Sequence, residues 1–169
     1  MEESIKNKPE LKNRLANLYK NNKPKIYVFL SILLVSLITF SYLKYNNEKK
    51  NITISEKYIK AGLFLSSQNL EKSKVLYEEI IYSKNSFYGI LALNTILEKN
   101  LISDKEKILD LFQILITSKL SQEQIDIINL KKSLFLIKNS DFEKGKKILE
   151  ELIENKSKLK SLAEEIIKK

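Results

Sequence analysis

From Ile26 to Leu43, between Lys25 and Lys44, the chain reads IYVFLSILLVSLITFSYL without a single charge. As an α-helix rising ~1.5 Å per residue this stretch covers about 27 Å, close to the ~30 Å hydrocarbon layer of a bilayer. Two thirds of it is Ile, Leu, Val or Phe. Each favours insertion by roughly 0.3–0.6 kcal/mol near the bilayer centre, which outweighs the mild cost of the interspersed Ser and Thr. Tyr27 stands at one end and Tyr42 and Tyr45 at the other, where amphipathic rings prefer the headgroup layer. A greasy core helix of a soluble domain is one alternative, but its polar stripe at period 3.6 is missing. A cleaved signal peptide is the other. Its apolar run is usually about 7–15 residues, and the best cleavage pattern here, Thr39-Phe40-Ser41, lacks the favoured alanines. The segment reads as a transmembrane anchor.

The anchor explains the charge. The formal net charge is +9, of which residues 1–51 carry +6 and residues 52–169 only +3. The excess flanks the apolar run and forms no phosphate-binding stripe, so nucleic acid is not an expected partner. Seven Lys/Arg (Lys6 to Lys25) lie close before the run and five (Lys44 to Lys60) close after it. The bias favours a cytoplasmic N-terminus and an exported C-terminal part. In PELKNRLANLYK, Leu11, Leu15, Leu18 and Tyr19 fall on one helical face with basic residues mostly around the others. That tail reads as a helical topology signal, with contact to anionic lipid or a cytosolic protein as the alternative.

There is no Cys and no His, which removes thiol nucleophiles, Cys/His zinc sites, disulfides and every imidazole relay. Three Gly and two Pro, with no Pro after Pro24, leave too little turn punctuation for a β-rich domain. Instead, cap-like tetrapeptides recur: Thr53-Ile54-Ser55-Glu56, Ser103-Asp104-Lys105-Glu106, Ser121-Gln122-Glu123-Gln124 and Ser140-Asp141-Phe142-Glu143. In each, a hydroxyl can take an orphan backbone N–H while the Glu or Gln reaches back; Asn69 can cap another helix. With the apolar periodicity they predict helices over 54–67, 70–83, 86–99, 104–118, 122–138, 141–154 and 157–168. The clearest face is Phe142, Gly145, Ile148, Leu149, Leu152 and Ile153. The expected organisation is a basic tail (1–25), an anchor (26–43), a polar connector (44–52) and an all-α domain (53–169). The short loops between these helices make consecutive helices antiparallel.

The helices carry a spacing. Ala61 and Ser133, Phe64 and Leu136, Ser73 and Gly145, and Tyr77 and Leu149 are all separated by the same interval, and Phe112 lies between. Small residues let two helices of a pair approach, and the larger ones fill the groove between pairs. This resembles the tetratricopeptide repeat, with about three helix pairs forming an α-solenoid; a generic helical bundle is the alternative. The middle pair has Ile108 at a small-residue position and a longer loop, KNLISD.

Taken with the basic tail and the anchor, SFYGILALNTILEKNLI and SLFLIKNSDFEKGKKILEELIENKSKLKSLAEEIIKK are similar to the YfgM-like family of ancillary SecYEG translocon subunits. The resemblance implies a single-pass protein of the bacterial inner membrane with its repeat domain in the periplasm. It further implies association with the SecYEG translocon and periplasmic chaperones, and no enzymatic activity.

The carboxylate clusters Glu78-Glu79, Asp104/Glu106/Asp110 and Glu150-Glu151-Glu154 fall near helix starts or beside Lys, as solvated faces do. No glycine-rich phosphate loop and no Asp-rich cation loop is present, so neither cofactor nor metal is expected. The expected role is protein binding in a concave groove, with Tyr58, Phe64, Phe87, Tyr88 and Asn94 as candidate lining residues. A self-associating envelope factor is the alternative.

Overall fold

A computed structural model describes residues 8–168; of 8–12 and 14–21 it describes the backbone alone. Every regular element among the described residues is an α-helix: α1 (Lys8–Ser66), α2 (Leu70–Tyr82), α3 (Ser86–Glu98), α4 (Lys105–Ile116), α5 (Gln122–Lys138), α6 (Phe142–Glu154) and α7 (Lys160–Ile167). The chain divides into two compact units, Met1–Lys49 and Lys50–Lys169.

In the first unit α1 is interrupted at Asn22, whose φ of −120° and ψ of 16° are not helical. Pro24, which has no N–H to donate, follows closely inside the helix. Beyond it, every side chain from 27 to 43 is exposed. The stretch belongs to a helix long and apolar enough to cross a membrane. The Ser31 and Thr39 hydroxyls donate to the Tyr27 and Val35 carbonyls at 2.9 and 2.8 Å, so neither needs a partner from outside the helix. The side chains of Leu11, Leu15, Leu18 and Tyr19, expected to form an amphipathic face, lie outside the described residues.

Residues 44–52 depart from expectation. They are helical, not a connector, and Thr53 caps nothing because the helix passes through it. Without Gly or Pro, and with Lys44 and Glu48 paired at i,i+4, nothing in that stretch stops a helix.

In the second unit two pairs of neighbouring helices, α1 with α2 and α5 with α6, approach closely. Where α1 meets α2, the buried Ser73 hydroxyl donates to the Ala61 carbonyl at 3.0 Å, and both residues are fully buried. Where α5 meets α6, a Cβ on Gly145 would stand 2.8 Å from the Ser133 carbonyl oxygen. The two contacts join residues at corresponding places in the sequence spacing, and the large partners Tyr77 and Leu149 are buried in both pairs. Leu136 is buried as well, whereas its counterpart Phe64 is half-exposed. Between the pairs, α4 packs its buried Phe112 against Phe135 of α5, ring centroids 6.0 Å apart. Ile108, at the position expected to be small, is buried too.

Two apolar clusters result. The larger gathers Ile80, Ile81, Leu93, Ile96, Phe112 and Ile128 with their neighbours, and the smaller holds Leu130, Leu149, Leu152 and Ala163. Ile128 and Leu130 send α5 into both clusters, so that helix is buried on more than one side.

Several helix ends shift by a residue or more. α5 starts at a full capping box, Ser121 with Gln124, and Asn69 caps α2 through the Lys72 N–H. For α4 the cap is Asp104, not Ser103; its carboxylate accepts from Glu106 and Lys107 N–H at 2.9 and 3.2 Å. Ser140 does not cap α6 either. It is left-handed (φ 64°) and closes α5, leaving Asp141 at the cap position with no side-chain bond to the backbone. α7 begins at Lys160; in the turn before it the Ser157 hydroxyl donates to the Asp126 carboxylate and accepts the Leu159 N–H at 3.2 Å.

Candidate functional site

The longer loop after α3 shapes a concavity of the second unit. Asn100 is left-handed (φ 49°), and the Leu101 N–H returns to the Ile96 carbonyl at 3.0 Å, a helix stop with Asn where Gly is commonest. This turn carries Ile102 back over the core until Asp104 starts α4. A cleft of about 390 Å³ opens between the end of α3, the start of α4 and the flank of α5, within the ~300–1,000 Å³ range of ligand pockets. Ile96, Ile102, Ile108 and Phe135 supply apolar walls, and Lys131 and Lys138 stand on the α5 side.

Among the described residues no carboxylate lines the cleft. Asp104 and Asp141 are engaged elsewhere: Asp104 caps α4, and Asp141 accepts from Lys105 at 3.3 Å and Lys144 at 3.1 Å; Glu98, next to Leu97 at the end of α3, is exposed and not part of the lining. The Lys144 hydrogen bond, helped by Lys105, holds the Asp141 carboxyl below its ordinary value against partial desolvation. Lys131 and Lys138 form no ion pair among the described residues.

None of the five candidate residues read from the sequence lines this cleft. Three of them gather elsewhere. Tyr58 contacts Tyr77 edge-on at 5.5 Å and Tyr88 at 5.7 Å, and Phe87 stacks edge-on against Tyr88 at 5.0 Å. The Tyr58 hydroxyl lies 3.5 Å from the Thr95 hydroxyl. Burial first, then the neighbouring Tyr58, pushes the Tyr77 phenol up from its ordinary value. Tyr58 and Tyr88 pack against the larger core, and Phe87 remains 61% exposed.

Phe64 lies apart from that cluster. It borders a shallower hollow with Val75 and Leu76, flanked by the Lys60 and Lys72 ammonium groups 6.0 and 5.5 Å from its ring centre. Asn94 sits on α3 with its side-chain oxygen buried and no hydrogen-bond partner among the described residues.

Two groups went unmarked in the sequence. Ile127, Lys131, Leu134 and Lys138 recur at i, i+4, i+7 and i+11, one stripe of α5 that the helical period alone could have revealed. Ile127 and Leu134 are 42% and 43% exposed. Asp126 is buried and accepts from Gln122 (2.8 Å) and Ser157, which fastens the turn before α7 to α5.

Half of the clustered carboxylates are taken up in ion pairs or a cap, Asp104 being the cap. Glu79 meets Lys57 at 2.6 Å, Glu78 meets Lys107 at 3.2 Å and Glu150 meets Lys146 at 3.8 Å. Among the described residues no group of three or more acidic side chains is placed to hold a metal ion. The arrangement is suited to holding an apolar, anionic surface through contact and charge. No protein-family model, curated protein or solved structure matches the chain.

Proposed function

We propose that this chain is a single-pass membrane protein whose helical unit is a tetratricopeptide-like solenoid that binds other polypeptides outside the cytoplasm. The observation that carries this reading is the matched close contact, Ser73 on Ala61 and Gly145 on Ser133, in two helix pairs related by one constant sequence interval. A stack of such pairs sets consecutive first helices side by side and leaves grooves between them. The cleft flanked by α3 and α5, the first helices of the second and third pairs, is a groove of that kind. The exposed apolar run with its self-satisfied hydroxyls serves as the anchor in the bilayer, and the seven-to-five Lys/Arg bias sets the N-terminus in the cytoplasm. In a bacterial inner membrane this layout suits an ancillary translocon-associated factor linking protein export to periplasmic chaperones.

Crosslinking in the intact membrane followed by pull-down of the full chain tests this reading. Capture of a translocon component supports it, and a captured set without one contradicts the translocon role. Self-association is the second reading. It is favoured by Ile52, Ile59 and Leu63, which share a face of α1 at 58%, 62% and 63% exposure. A detergent-solubilised chain that stays a stable homo-oligomer on dilution favours that alternative, and a monomer favours a different partner.

A further inference from the structure

We propose that the cleft between α3 and α5 takes an acidic, apolar segment of a partner protein, its apolar side chains on Ile96, Ile102 and Phe135 and its carboxylates on Lys131 and Lys138. This rests on the protein-binding reading above and adds the chemistry of the bound segment. Charge complementarity carries it. The cleft has apolar walls and two cationic rims, and no carboxylate among the described residues lines it to neutralise them. Lys57, Lys105, Lys107 and Lys158 set their charge against acidic partners across the fold, whereas the two rim lysines, like Lys60 and Lys72 beside Phe64, meet none among the described residues and keep theirs for a ligand. Lys131 and Lys138 stand about two helical turns apart on one stripe, with Leu134 between them. A segment presenting acid, apolar, acid at matching spacing meets all three at once. A basic segment meets like charge, and a purely apolar one leaves both ammonium groups beside a desolvated surface.

The test uses the full chain in nanodiscs of phosphatidylcholine and three short fluorescein-labelled peptides with identical Leu and Phe anchors. One carries four Glu, the second Gln and the third Lys at the same positions. Anisotropy should show saturable binding of the Glu peptide, weaker by about tenfold or more for the other two, and weakened by salt. The double variant Lys131→Glu/Lys138→Glu, with unchanged helix content, should reverse the preference toward the Lys peptide. Equal binding of the three peptides, or an unchanged preference in the variant, overturns the proposal.

A photocrosslinking residue at Leu134 in cells, with the attached peptide sequenced, separates this failure from failure of the wider reading. An acidic, apolar segment supports the proposal. A neutral or basic segment of another protein overturns it and leaves the protein-binding reading standing. A second copy of this chain overturns it in favour of self-association, and crosslinks to lipid alone or to nothing overturn both.

Discussion

The three glycines of the helical unit should respond to one substitution with different signs, because what lies beside each of them differs. In a helix interior, Gly→Ala is worth about 0.5–1 kcal/mol of stability when the new methyl has room. At Gly62 it has room: the nearest group is the Tyr77 hydroxyl, 3.8 Å from where the Cβ would stand. At Gly145 it does not. The same atom would meet the Ser133 carbonyl oxygen at 2.8 Å and Ile137 Cγ1 at 2.6 Å, and the carbonyl cannot swing aside without moving α5. Overpacking of this kind costs about 1–3 kcal/mol, which exceeds the helix-propensity gain. Gly62→Ala should therefore raise stability by about 0.5–1 kcal/mol and Gly145→Ala should lower it by about 1–2 kcal/mol. Gly89→Ala should fall between them, since its closest neighbour is the end of the Leu115 side chain at 2.7 Å, which can rotate. Urea and thermal unfolding of the full chain in detergent micelles, followed by helix circular dichroism, would resolve the two. The Gly62 and Gly145 variants should differ in melting temperature by about 5 °C or more. A Gly145→Ala protein as stable as the parent would refute the close approach of α5 and α6 on which the helix-pair reading depends.

Other expectations follow from the helix ends and the buried polar groups. Gln68, Lys84 and Lys156 hold left-handed φ values of 62°, 56° and 52° just beyond helices, so replacing each with Gly should add about 0.5–1 kcal/mol, visible as a higher urea midpoint. Asp126→Ala should cost about 1–3 kcal/mol by orphaning Ser157 and Gln122, and hydrogen exchange should rise first in residues 157–168. The Asp141 carboxyl is held below its ordinary value of 3.8 by Lys144 and Lys105. Its stabilisation is thus full above that pH and fades as pH falls through the lower folded-state value. An acid titration of Asp141→Asn should lose that part of the curve, and an unchanged curve would contradict the pairing.

How far the sequence reached differs along the chain. α5 is legible to the residue because its capping box and its downstream turn agree, and the apolar run before Lys44 needs only length and composition. Ser103 and Ser140 mislead as caps because an Asp follows each, and the chain takes the later residue at the cap position. The polarity of 44–52 suggests a break, but polar residues without Gly or Pro continue a helix readily. For the five aromatic and amide candidates, position on a first helix is the only signal the sequence offers. Tyr58 and Tyr88 instead pack against the core, as aromatics on such helices commonly do. The cleft was hidden for a different reason. Its wall at Ile102 exists because Asn100 turns the chain back, a backbone event with no periodic trace, whereas its α5 side repeats at helical spacing and was open to reading.

Protease accessibility in cells whose outer barrier has been opened while the inner membrane stays sealed tests the central claim, an anchor that carries the helical unit to the far side. The account predicts that residues 50–169 are digested from outside while an N-terminal tag survives within. Digestion of that unit only after the inner membrane is ruptured would place it in the cytoplasm and contradict the account.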